Sequence, residues 1–144
     1  MYVKLNIKEG PTMAKARKVR EISFTMQNKV GLLWEVTAAI AGAKVNITAI
    51  CAYGMENTAY FMLTTDSNAK AKKALASLGV GMEEKDVVEV EVPDKPGELQ
   101  KVAKKVADAG IDIEYMYATA SSGKTETCIF MTSDNKKAIK VINK

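Results

Sequence analysis

Two short stretches carry residue types that can hold an anion. Asn28-Lys29-Val30-Gly31-Leu32 leads into an amphipathic run, and Asp94-Lys95-Pro96-Gly97-Glu98-Leu99 does the same 66 residues later. In each, a glycine stands where a turn meets the start of a helix. The first amides of a helix have no acceptor within it and lie at the positive end of its dipole, so they favour a carboxylate. The amides expected to face such a ligand are those of Val30, Gly31 and Leu32, and of Gly97, Glu98 and Leu99. Pro96 suits the first helical turn, where a missing N–H costs nothing, with Asp94 or Lys95 at the cap. A plain strand-to-helix turn would use the same residues; the second copy at the same offset raises the binding reading above it.

A second pair of positions opens the strand that follows each helix: Asn46-Ile47 and Asp112-Ile113. The Asn46 amide can accept from an ammonium and donate to a carboxylate, whereas an ionised Asp112 can only accept. Both can also simply close the helix–strand turn through local bonds.

Catalytic chemistry finds little footing. The chain has no histidine, which removes Ser-His and Cys-His nucleophile pairs. Cys51 and Cys128 stand apart in apolar, strand-like runs, so they read as reduced core thiols, and a Cys/His zinc site lacks ligands. Ser121-Ser122-Gly123-Lys124-Thr125 resembles the end of a phosphate-binding loop, but Ala118 stands where that motif needs glycine. It also falls at a hairpin tip rather than between strand and helix. The Asn46-Ile47-Thr48 sequon carries no meaning in the cytoplasm.

The elements that position these residues follow from periodicity. Residues 2–8 alternate like a strand, and 9–18 read as a basic connection. Residues 19–26 form a strand, and Leu32, Leu33, Val36 and Ile40 mark one helix face. Residues 45–54 and 58–65 form a hairpin, and 67–79 a helix stopped by Gly79. The long stretch 80–92 reads as the fourth strand of one unit running into the first strand of the next. A helix over 99–109, a hairpin of 111–120 with 125–133, and a terminal helix complete the second unit. The fold class is therefore α+β: two ferredoxin-like βαββαβ units with antiparallel sheets and helices on one face. The boundaries are 1–18 for the N-terminal strand and connection, 19–84 for unit one and 85–144 for unit two. Unit two lacks a fourth strand, and residues 2–8 are expected to fill that vacant edge, in this chain or in a partner's.

Composition fits. The 144 residues are 47% hydrophobic and 26% charged, with net charge +4. The cations are lysines apart from Arg17 and Arg20, and base reading leans on arginine, so no nucleic-acid partner is expected. No apolar run approaches the roughly 20 residues that span a bilayer, and the start has no signal-peptide core. No membrane partner is expected, and the location is cytoplasmic.

These stretches also carry a family resemblance. "DKPGELQKVAKKVADAGIDI" resembles the first half of an ACT domain, and "NKVGLLWEVTAAIAGAKVNI" a second copy, the likeness covering residues 19 to 144. It implies a regulatory module that binds a small molecule, commonly an amino acid, and has no catalytic domain or cofactor. Such domains pair side by side, with the ligand between the first loop of one and strand two of its neighbour. The resemblance places the acidic or amide position at Asn28 and Asp94, the glycine at Gly31 and Gly97, and the strand-two position at Asn46 and Asp112. Backbone groups of Leu32 and Leu99 lie beside them. It further implies a homodimer, with an enzyme or regulator as reader. Unit one departs from the Pro-Gly pattern with Val30-Gly31. Unit two keeps it but sets Asp94, Glu98 and Asp112 around the pocket, where one repulsion at 4 Å is worth roughly 4 kcal/mol. Unit one is therefore expected to hold a carboxylate, and unit two to be structural or to choose a cation. The competing reading is an assembly module that binds no metabolite.

Overall fold

The computed structural model describes residues 13–120 and 123–144. Six strands and four helices follow in the order β1 (Lys15–Gln27), α1 (Leu32–Gly42), β2 (Ile47–Met55), β3 (Thr58–Thr65), α2 (Asn68–Ala76), β4 (Met82–Pro93), α3 (Glu98–Asp108), β5 (Ile113–Ala120), β6 (Thr125–Thr132) and α4 (Asn135–Ile142). All strands join one antiparallel sheet in the order β2-β3-β1-β4-β6-β5. No helix among the described residues is long and apolar enough to cross a membrane.

The two units interlock through their first strands. β4 closes unit one beside β1 and opens unit two beside β6. Reciprocally, the start of β1 serves unit two as its fourth strand, with Lys15 opposite Glu91 and Arg17 opposite Glu89. The edge expected to receive residues 2–8 is thus taken by β1, which begins four residues earlier than its apolar alternation suggests. Residues 2–8 themselves lie outside the described residues.

The repeat is a pseudo-two-fold axis. An offset of 66 carries Arg20 onto Asp86, and these two are direct partners in the β1–β4 ladder, ion-paired at 3.0 Å. The axis passes between them. Each unit repeats a ladder irregularity at the start of its second strand, between Ile47 and Ala49 and between Ile113 and Tyr115. The hairpin of unit two is one residue longer, so the offset becomes 67 beyond it. There Thr65 and Asn68 match Thr132 and Asn135. In each pair the threonine hydroxyl donates to the asparagine, and Asn68 and Asn135 Nδ2 then donate to the carbonyls of Arg20 and Asp86. These bonds tie both second helices to the strands at the axis.

Alternate residues of β1 and β4 face the helices. Ile22 and Phe24 pack with Leu32, Val36, Ile40 and Leu75, while Val88, Val90 and Val92 pack with Val102, Val106 and Ile142. The opposite face is concave, and its edge strands β2 and β5 touch across it. Ala49, Val87, Tyr117 and Ile129 fill the centre. There the fully buried Glu21 accepts from the Tyr115 and Tyr117 hydroxyls at 2.6 and 2.8 Å. Burial and the Glu21 charge push both phenols well above their ordinary range.

Candidate functional site

Both strand-to-helix junctions adopt one turn. Leu32 N–H donates to Lys29 O, and Glu98 N–H to Lys95 O, each at 3.3 Å. Gly31 (φ 86°, ψ 0°) and Gly97 (φ 85°, ψ −6°) hold the third position, with the dihedrals of a type II turn, and also form the helix caps. Pro96 therefore stands in the turn before the helix rather than in its first turn, at the place where type II geometry favours proline. The cap is Gly97, not Asp94 or Lys95, because only glycine takes that φ without strain. The turn occupies the amides of Leu32 and Glu98. Helical bonding begins at Glu35 N–H to Gly31 O and Lys101 N–H to Gly97 O, both 3.1 Å. The helix-start amides with no helical acceptor are thus those of Leu33 and Trp34, and of Leu99 and Gln100.

In unit one this junction borders a cleft of about 270 Å³ lined by Asn28, Lys29, Gly31, Leu32 and Leu33, with Ala52, Tyr53 and Gly54 of β2 and Ala59 and Phe61 of β3. Gly54 makes the closure possible: a Cβ there would lie 2.7 Å from Asn28 Nδ2. The chain at Asn28 is anchored by its own N–H to Asn57 O at 2.8 Å. Lys29 is paired with Glu35 at 3.0 Å. The cleft therefore offers an amide side chain, the helix-start amide of Leu33 and an apolar wall. Its rim is apolar and exposed, with Val30 fully so and Trp34 73% accessible.

Unit two repeats the turn with other chemistry. Asp94 N–H donates to Lys124 O at 2.9 Å, and Ala120 holds the place of Gly54. The Glu98 carboxylate is paired with Lys101 at 2.8 Å. Asp112 lies at the far end of α3 from Asp94, some 16 Å along an eleven-residue helix. There it exchanges backbone bonds with Ser133, N–H to Oγ and O from N–H. The three acids thus do not surround one pocket within a single chain, and one is neutralised locally.

The strand-two positions are likewise remote from their own loops. Asn46 N–H donates to Asp66 Oδ1 at 3.0 Å. With Ile47 and Thr48 it lines a separate cleft of about 360 Å³, whose other wall includes Ala120 and Thr127 of unit two. The start of β2 thus meets the other unit, whereas its end, at Gly54, meets the loop that precedes it. Ile113 packs against the core of unit two.

Sequence reasoning missed Gly54 and Tyr53. An isolated glycine inside a strand signals close backbone approach, and that signal was available. The thiols are poor nucleophiles: burial pushes Cys128 up to about 11 and, with Glu21, raises Cys51. No group of three or more metal-ligating side chains occurs among the described residues.

A family model described as the ACT domain pair matches residues 17–144. A crystal structure of a Bacteroides thetaiotaomicron protein is 30% identical, covering 89% of this chain and 88% of that one, with a TM-score of 0.80. The aspartokinase alpha and beta subunits are 19% identical, with 92% and 95% covered and a TM-score of 0.65. The ligand-free regulatory subunit of aspartate kinase from Thermus thermophilus is 18% identical, with the same coverage and a TM-score of 0.64. No curated protein matches the chain.

Proposed function

The chain belongs to the ACT domain pair family, and on that premise we propose that it is a non-catalytic cytoplasmic sensor of a small molecule, an amino acid. Its modules span 19–84 and 85–144 and share their first strands. The ligand carboxylate lies before the start of α1, toward the Leu33 amide, and its ammonium reaches the Asn28 side-chain oxygen. The observation that carries this reading is the unit-one cleft closed by Asn28 over Gly54. Unit two, with Asp94 and Ala120 in those places, is structural or takes a cation.

The exposed rim of Val30, Leu33 and Trp34 supports a homodimer. A second copy seated there covers the apolar rim and brings a strand-two position toward the cleft. Ligand binding then favours one packing of the modules, and a partner enzyme or regulator reads that packing by linkage. The competing reading, assembly without a metabolite, rests on the same rim.

A thermal-shift screen of the twenty amino acids separates the two. An amino acid at a hundred times its Kd adds about 2.7 kcal/mol of stability, and Asn28→Ala removes that gain. A chain that responds to none of the twenty is an assembly module.

A further inference from the structure

The pseudo-two-fold axis pairs two places on the concave face that have diverged in charge. It carries the ladder pair Ser23–Glu83 onto Glu89–Arg17, and the row Tyr53–Tyr60–Thr25 onto Thr119–Thr127–Glu91. In unit two a guanidinium fills the position: Arg17 Nε and Nη2 donate to Glu89 Oε1 at 3.1 and 2.9 Å. In unit one a carboxylate, Glu83, stands in the place of Arg17, and it has no ion-pair partner among the described residues. It borders an open cleft of about 300 Å³ together with Ser23, Thr25, Tyr53 and Tyr60. The two tyrosine rings lie stacked, with centroids 5.0 Å apart and planes inclined by 12°. Gly81 also lines it, and a Cβ there would meet nothing within 4 Å.

We propose that this concave cleft of unit one is a second ligand site, for an organic cation with a guanidinium or ammonium on a slender apolar stem. The aromatic faces carry the negative side of their quadrupole and attract a cation. Glu83 supplies the formal counter-charge, and the Ser23 and Thr25 hydroxyls accept the remaining N–H groups. A carboxylate is repelled by Glu83 and by the ring faces. Unit two holds a guanidinium on a carboxylate within the chain, whereas unit one sets a carboxylate where that guanidinium stands and leaves it without a cation. A volume of 300 Å³ lies at the small end of ligand sites, which suits a four-carbon stem and not a fused ring system. The site is separate from the cleft before α1, with Tyr53 in the wall of both. It asks nothing of a ligand carboxylate, so it stands or falls independently of the sensor reading.

The test is titration of the full chain with butylguanidinium, followed by calorimetry and by the ring resonances of Tyr53 and Tyr60. Butylurea, of the same shape without charge, is the control. Saturable binding that moves those two rings is expected, weakened about tenfold by Glu83→Gln and by Tyr60→Leu, with no binding of butylurea. An end-capped peptide carrying one arginine distinguishes the source. Affinity equal to that of butylguanidinium assigns the site to a side chain of a protein partner, and weaker affinity assigns it to a free metabolite. No saturable shift at about 10 mM, equal binding of butylurea, or binding indifferent to Glu83→Gln overturns the proposal.

Discussion

Asn28 rests against Gly54 across the first junction, and Asp94 and Ala120 hold the same places in the second. The backbone of the two turns is nearly identical, to within one degree in φ at Gly31 and Gly97. What differs is the chemistry laid on it. The first copy has an amide over a bare strand, an open cleft and an apolar rim. The second has a carboxylate, a methyl group and a helix-start acid matched by Lys101. A duplicated scaffold keeps its turn because glycine conformation leaves no alternative, whereas side chains that line a cleft are free to diverge. The concave face repeats the lesson, with stacked tyrosines in one half and threonines with an internal ion pair in the other.

The largest effect is expected at the centre, where the axis carries Glu21 onto Val87. Glu21→Ala strands the buried Tyr117 phenol and the half-buried Tyr115 phenol and opens a cavity, and should cost about 3 kcal/mol or more in urea unfolding. The same cluster fixes an alkaline limit. Both phenols have folded pKa values raised above the ordinary 10.0, so their stabilisation is complete below pH 10 and is lost as pH rises beyond it. Tyr117→Phe should flatten that decline. Next, Gly54→Ala should push the Asn28 amide aside at a cost of about 1 kcal/mol or less and abolish the amino-acid thermal shift. Ala120→Gly should cost about 0.5–1 kcal/mol and create no response. Gly31→Ala and Gly97→Ala should each destabilise by about 1–2 kcal/mol, since both force a side chain into left-handed backbone. Only the first should also lower ligand affinity, and equal loss from both would erase the functional difference between the junctions. The smallest contrast lies at the second helices. Asp134 accepts from Lys137 N–H, whereas Ser67 makes no side-chain cap bond. Asp134→Ala should lower Tm by the equivalent of about 1 kcal/mol, and Ser67→Ala by almost nothing.

The repeat, the order of elements and the double service of β4 were legible because they rest on periodicity and on glycine turns. The upstream extension of β1 was not. Residues 15–18 read as a basic linker because Arg17 pairs with Glu89 and Lys15 stands opposite Glu91 on the neighbouring strand, so cations replaced the apolar alternation that betrays a strand. Nothing local in the sequence marks Glu21 as buried, since the tyrosines that satisfy it lie 94 and 96 residues away. The kinship of Asn68 with Asn135 was hidden by the extra hairpin residue, which moves the offset from 66 to 67. The convergence of acids expected in unit two failed for a simple reason. Asp94 and Asp112 flank α3, and a helix separates its two ends by its own length.

The rung on the pseudo-two-fold axis says something about history. Two identical single-unit chains, paired through the same ladder, would place the same residue on both sides of their axis, arginine against arginine or aspartate against aspartate. Arg20 opposite Asp86 is a combination that such an assembly of equals cannot write. It becomes accessible only after the two copies are encoded separately and mutate independently. The ion pair is thus a mark of divergence between the copies, fixed at the one point where loss of symmetry turns a self-repulsion into an attraction.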